Sequence, residues 1–172
     1  MDPNTGIIST RTFPPPTLDH EIVTNYTFYV VAVDQEGLGH KSYARVIITV
    51  TDANDNTPKF ETQSRSVTVS EASSLGFSVT KVTASDPDSN LNGRVSYSII
   101  HGAEGKFDID RNNGVIRVAG VLDRETVAVY VLNISALDGS YYPREGFGTV
   151  IVNLLDINDN APVLSRQVYR WA

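Results

Sequence analysis

The pattern Asp-x-Asn-Asp-Asn-x-Pro occurs twice in this chain, at Asp52-Ala53-Asn54-Asp55-Asn56-Thr57-Pro58 and at Asp156-Ile157-Asn158-Asp159-Asn160-Ala161-Pro162, 104 residues apart. Four oxygen-bearing side chains among five residues suit an ordinary turn poorly, because they repel one another or compete for the same backbone groups. They suit a hard cation, which takes about six to eight oxygens and completes its shell with backbone carbonyls. The Pro that closes each run imposes an extended exit. The pattern therefore predicts calcium at two places in the chain.

Other segments repeat at the same spacing, so a whole structural unit is duplicated. Asp19-His20-Glu21 matches Asp123-Arg124-Glu125, and Ala32-Val33-Asp34 matches Ala136-Leu137-Asp138, both at 104. Asp2-Pro3-Asn4-Thr5-Gly6-Ile7-Ile8 matches Asp110-Arg111-Asn112-Asn113-Gly114-Val115-Ile116 at 108, which places four extra residues of the first copy in Thr12-Phe13-Pro14-Pro15-Pro16. A period near one hundred residues is a domain rather than a solenoid turn. Met1 accordingly falls inside a domain.

Hydrophobic residues alternate with a period of two. Val46, Ile48 and Val50 form one such series and Val150, Val152 and Leu154 its counterpart; Tyr26, Phe28, Val30 and Ala32 correspond to Tyr130, Leu132, Ile134 and Ala136. This is the pattern of strands with one buried face, and it places Asn133 and Ser135 outward. Further strands are predicted over 66–69, 77–84, 95–100 and 114–118, and in the first copy roughly over 6–10, 26–33 and 43–51. Gly, Pro, Asn and Asp punctuate them and no helix is expected. The fold class that follows is all-β: a seven-stranded antiparallel Greek-key sandwich, preceded by a truncated copy of itself.

These residues resemble the extracellular cadherin repeat. The resemblance rests on Glu71 in the first strand, Asp86-Pro87-Asp88 followed by Asn92-Gly93, Leu122-Asp123-Arg124-Glu125, Ala136-Leu137-Asp138 and the Asp-x-Asn-Asp-Asn linker, six motifs in the family's order and spacing. It implies a complete repeat over 60–163, the C-terminal half of a preceding repeat over 1–59, and the start of a following repeat or a tail over 164–172. The type implied is that of long cadherins such as Fat, Dachsous or protocadherins.

The resemblance also implies ligands. At the first linker an innermost Ca2+ would take Asp19, Glu21 and Asp55. A middle ion would take Glu21, Asp52, the Ala53 carbonyl, Asp55 and Asp88. The outermost would take Asn54, the Asn56 carbonyl, Asp86, Asp88, the Asn92 carbonyl and Asp138. At the second linker the inner pair of ions would take Glu71, Asp123, Glu125, Asp156, the Ile157 carbonyl and Asp159, leaving Asn158 and Asn160 as a solvated turn. The function implied is calcium-dependent rigidification of a cell-surface rod that serves cell-cell adhesion with other cadherin ectodomains, homophilic or heterophilic. A calcium-stabilised sandwich that binds carbohydrate or matrix in a secreted or bacterial protein is the alternative.

Charge agrees with this placement. The chain carries a net charge of -6 from 20 acidic residues against 14 Lys and Arg. Twelve of the 20 acids lie in the motifs above, and the eight others would leave the chain net positive. No basic stripe with interleaved aromatics appears, so nucleic acid is not an expected partner. There is no cysteine to brace the fold. No run of about eighteen apolar residues is present to span a bilayer, and the chain reads as an excised or truncated piece of a larger secreted or membrane-anchored protein. The sequons Asn25-Tyr26-Thr27 and Asn133-Ile134-Ser135 are compatible with an extracellular location.

Rival readings fail on particular residues. Asp86-x-Asp88-x-Asn90 begins like an EF-hand loop, but Leu91 stands where Gly is needed and Tyr97 where a bidentate Glu is needed. His20, His40 and His101 lack paired spacing for zinc. No nucleophile elbow or phosphate loop is present, and the carboxylates are absorbed by the linkers, so no enzyme is expected. Trp171 follows a linker and reads as a strand or tail residue.

Overall fold

A computed structural model describes residues 2–10, 18–34 and 39–162. The segment expected to hold the four extra residues, 12–16, and the segment 164–172 with Trp171 lie outside the described residues. Eleven strands and no helix make up the described chain: β1 (Asn25–Val33), β2 (Lys41–Thr49), β3 (Lys59–Phe60), β4 (Ser64–Ser70), β5 (Ser78–Lys81), β6 (Ala84–Ser85), β7 (Ser96–His101), β8 (Phe107–Ile109), β9 (Val115–Val118), β10 (Val129–Leu137) and β11 (Glu145–Leu155).

From β3 onward the strands build the two layers expected of a cadherin-like sandwich. One layer has the order β4-β11-β10-β7; the other comprises β5-β9-β8 and the short pair β3-β6. Two of the seven strands are interrupted where the chain changes sheet. The first splits into β3, which pairs with β6, and β4, which pairs with β11. The second, expected as one strand over 77–84, splits at Val82-Thr83 into β5, paired with β9, and β6. Strands at sandwich corners bend in this way so that one segment can serve both layers. Every pair is antiparallel except β4 with β11, which run parallel from Ser64↔Thr149 to Ser70↔Leu155.

The core lies between the layers. Leu132, Ile134, Val150 and Val152 come from one face, and Ile116, Val118, Val82 and Phe107 from the other. Each such side chain, taken out of water, contributes about 1.5–3 kcal/mol before the entropy of ordering is subtracted. Phe107 meets Tyr130 edge-on at 5.1 Å. Tyr97 pins the layers together: its hydroxyl accepts the Ala84 N–H at 2.8 Å and donates to the Ala84 carbonyl at 3.2 Å. Ser135 departs from the alternation. It is buried although it belongs to the outward series, because it sits on the central strand β10 between Ser98 and Phe147 and donates its hydroxyl to the Glu145 carboxylate.

In the first copy, β1 and β2 form an antiparallel hairpin. Residues 6–10 are not a strand. Their counterpart β9 takes its hydrogen bonds from β5 and β8, and neither has an equivalent among the described residues of the first copy. The turn before it forms in both copies, since it is local: the Gly6 N–H donates to the Asp2 carbonyl as the Gly114 N–H does to Asp110.

Candidate metal centre

The acidic motifs sit at strand ends, so the sandwich sorts them to its two poles. Asp86 and Asp88 follow β6, and Asp138 follows β10, at the pole facing β1 and β2. Glu71 follows β4, Asp123 and Glu125 precede β10, and Asp156 follows β11, at the opposite pole. The two linkers turn alike. The Asp55 N–H donates to the Ala53 carbonyl at 2.8 Å and the Asp159 N–H to the Ile157 carbonyl at 2.9 Å. Asn56 Nδ2 donates to Asp55 at 2.9 Å and Asn160 Nδ2 to Asp159 at 2.8 Å.

At the first junction Glu21, Asp55 and Asp88 present carboxylate oxygens within 4.8 Å of one another, and Glu21 also approaches His20 and Asp52. Asp88 is buried, and its oxygens accept from the Asn56 N–H at 3.3 Å and from Asn56 Nδ2 at 2.6 Å. Asn92 Nδ2 donates to Asp52 Oδ2 at 2.9 Å. Gly93 permits the tight return of this loop, for a Cβ there would stand 1.9 Å from the Asp88 carbonyl oxygen. Asp138 is buried, yet its carboxyl is held below the usual range: desolvation acts upward, and the N–H groups of Arg144 and Ser140 outweigh it. Asp19 joins neither triad; its carboxylate accepts the Ile22 N–H at 3.1 Å.

Three buried oxygens at this junction, Asp52 Oδ1, Asn54 Oδ1 and Asp86 Oδ2, have no hydrogen-bond partner among the described residues. Buried polar atoms are otherwise almost always paired, because an orphan costs about 1–3 kcal/mol. Burial pushes the Asp86 carboxyl up, and the neighbouring Asp88 and Asp138 carboxylates add to it. Desolvation likewise raises Glu21, with Asp55, Asp52 and Asp19 adding to it. Carboxylates crowded with their like, beside orphaned oxygens, fit a divalent hard cation.

The second junction gathers Glu71, Glu125 and Asp159 within 4.8 Å. Glu71 is buried and accepts the Arg124 N–H at 2.6 Å and the Ile157 N–H at 2.8 Å, tying the end of β4 to the linker. Glu125 is raised: its own backbone N–H lowers it, but desolvation and the Glu71 and Asp156 carboxylates prevail. Asp123 lies outside the triad and is lowered by the Thr126 hydroxyl and N–H that it accepts. Asp156 pairs loosely with Arg124 at 3.9 Å. Asn158 and Asn160 are exposed.

Sequence reasoning missed the groups that brace the first junction. His20 spans it, with Nδ1 2.9 Å from the Val50 carbonyl and Nε2 3.0 Å from the Ser89 hydroxyl. Asn54 Nδ2 donates to the Ser140 hydroxyl at 2.7 Å and to the Tyr142 carbonyl at 2.9 Å, while Arg144 Nε donates to the Asn54 carbonyl at 2.9 Å. A lone His between two acids and a polar β10–β11 turn carry no motif. The only available signal was their adjacency to assigned ligands.

The family model for the Cadherin domain matches residues 65–155, more than half of the chain. The chain belongs to the cadherin family. This cadherin is 40% identical to human Protocadherin Fat 1 over 171 residues, covering 98% of the chain and 4% of the relative. To the Drosophila melanogaster Protein dachsous it is 35% identical over 171 residues, covering 98% of the chain and 5% of the relative. The chain thus spans only a small fraction of the length of the curated relatives it matches. Among solved structures, mouse Cadherin-23 EC22-24 superposes with a TM-score of 0.79 at 35% identity, over 83% of the chain and 46% of that structure. The protocadherin gammaB7 EC3-6 cis-dimer structure gives 0.78 at 30%, over 88% and 37%. No helix of the described residues is long and apolar enough to cross a membrane.

Proposed function

We propose that this cadherin segment binds Ca2+ at its junctions and is stiffened by it, as a part of an extracellular rod that serves adhesion at the cell surface. In this reading residues 60–163 are one complete repeat, 1–59 the second half of the one before, and 164–172 the start of the next. The first junction holds ions through Asp19, Glu21, Asp52, Asn54, Asp55, Asp86, Asp88 and Asp138 with the carbonyls of Ala53, Asn56 and Asn92. The second holds them through Glu71, Asp123, Glu125, Asp156, Asp159 and the Ile157 carbonyl. Ca2+ supplies charge neutralisation and cross-linking. The chain's residues present oxygens from both sides of the first linker, and from the preceding sandwich and the linker itself at the second, and they fix the turn in each linker. The partners are other cadherin ectodomains, and the role is binding rather than catalysis.

The observation that carries this reading is the set of three buried oxygens without a partner among the described residues, two from the first linker (Asp52, Asn54) and one from the sandwich that follows it (Asp86). Melting the chain in chelator and in Ca2+ tests it. Ions bound only by the folded junction stabilise by mass action, about 2.7 kcal/mol at a hundredfold excess over Kd, so the midpoint rises. Asp88→Ala weakens a calcium titration more than Asp110→Ala, which removes equal charge from a turn whose carboxylate only caps Asn112 and Asn113. Coincident melting curves, or equal losses in the two variants, sink the proposal.

A further inference from the structure

We propose that Asn133 carries an N-linked oligosaccharide on the outer face of the β4-β11-β10-β7 sheet; this rests on the extracellular reading above. The sequon Asn133-Ile134-Ser135 alone is a short pattern, and its position in the fold adds the argument. Asn133 is exposed, and its side chain makes no hydrogen bond among the described residues. It lies where the β10–β7 register shifts, between the pairs Asn133↔His101 and Ile134↔Ile99. A bulge of this kind leaves a residue unpaired, here Ile100, and turns the side chains around it away from the ladder. By contrast the amide of Asn25, in the other sequon, is engaged at both ends, by Thr24 and by Thr49.

Val131, Phe147 and Ile100 are each about half exposed near Asn133, an apolar surface on the outside of a sandwich whose inner face is already filled. Asn133 stands at the middle of the nine-residue β10, four residues from either end. That is about 13 Å from each acidic pole at the strand rise, so a glycan there leaves both junctions free. The Ser135 hydroxyl is buried and bonded to Glu145, so the sequon is readable only before β10 joins the sheet. Transfer takes place on the emerging chain. Its donor is a lipid-diphosphate-linked oligosaccharide: a bond forms from Asn133 Nδ2 to the anomeric carbon, the bond from that carbon to the diphosphate oxygen breaks, the lipid diphosphate leaves, and the Nδ2 proton passes to a base.

The test is expression of the full chain behind a cleavable secretion signal in an animal cell line. Cell-retained and secreted pools are both digested, and the peptide containing residue 133 is sequenced by mass spectrometry with and without peptide N-glycosidase. The expected result is a glycan on Asn133 in the wild-type chain and in Ser135→Thr, and none in Asn133→Gln. An unmodified Asn133 in the wild-type chain of both pools overturns the proposal. Because the calcium reading is measured on bacterially produced chain without glycans, either proposal can fail while the other stands.

Discussion

The hairpins β1–β2 and β10–β11 pair in the same register, residue for residue at a spacing of 104, yet they live in different surroundings. Tyr26 faces Ile48 as Tyr130 faces Val152, and Phe28 faces Val46 as Leu132 faces Val150. Even the flanking bonds match: the Val50 N–H donates to the Thr24 carbonyl and the Leu154 N–H to Ala128, each at 2.9 Å. In β10–β11 the inward series is sealed, with Leu132 and Ile134 at 0% exposure. In β1–β2 Phe28, Val30, Val46 and Ile48 are only half buried, and Tyr26 is 37% exposed. Pairing and register therefore follow from the hairpin's own sequence, whereas burial depends on the opposing sheet β5-β9-β8; in the first copy the counterpart of β9 is not a strand, and β5 and β8 have none among the described residues.

Hydrogen exchange gives the widest test of that contrast. In a monomeric sample the amide of Val50 exchanges faster than that of Leu154, though their hydrogen bonds are equal, because exchange follows opening free energy rather than bond length. Each 1.4 kcal/mol of difference in opening is about tenfold in rate. Equal protection would mean that the face of β1–β2 is covered by something else in the chain. Paired truncations sharpen the point. Leu132→Ala costs about 2–5 kcal/mol in a urea titration, and Phe28→Ala, at the equivalent position, costs less than about 1 kcal/mol because water already reaches the site. Similar losses would break the comparison.

The smallest effect is on pH, and it separates carboxylates crowded by their like from those capped by N–H and hydroxyl groups. Glu21 and Asp86 at the first junction and Glu125 at the second have folded pKa values raised above the ordinary ones. Their contribution is present at pH below the ordinary carboxylate values, about 4, and is lost as pH rises through the folded values. Asp2, Asp110, Asp123 and Asp138 are lowered, so what they contribute is lost only as pH falls beneath the ordinary values. At pH above the ordinary carboxylate values only the raised set acts. In chelator, the melting midpoint is expected to rise slightly on acidification across that window. In Ca2+ the trend reverses, since protons compete for the same oxygens. A chelator midpoint that falls over the window would contradict the crowding at the junctions.

Long alternating strands were legible in the sequence because each residue reports its own face: 130–136 and 26–33 fall within β10 and β1. The two-residue β3 and β6 and the three-residue β8 were not, being too short to show a period. The break at Val82-Thr83 and the parallel β4–β11 pair depend on which distant strand lies alongside, which no local pattern encodes. Burial of Ser135 went unread for the same reason, since Glu145 and the neighbouring strands cover it. Within the candidate centre the carboxylates came from motifs, whereas His20 and Arg144 act through single contacts to backbone carbonyls and a hydroxyl.

The parallel pairing of β4 with β11 has a mechanical consequence. The chain enters along one strand and leaves along the other in the same direction, so its two attachment points lie at opposite ends of a seven-pair ladder. Tension applied between those two points would slide β4 against β11 and load all their hydrogen bonds together. A hairpin pulled at adjacent ends would instead open one bond at a time. With β3 held separately on β6, and the Pro58 carbonyl oxygen only 1.9 Å from where a Cβ on Gly146 would stand, the entry strand is clamped at its start as well. The topology thus makes the sandwich a shear-loaded link.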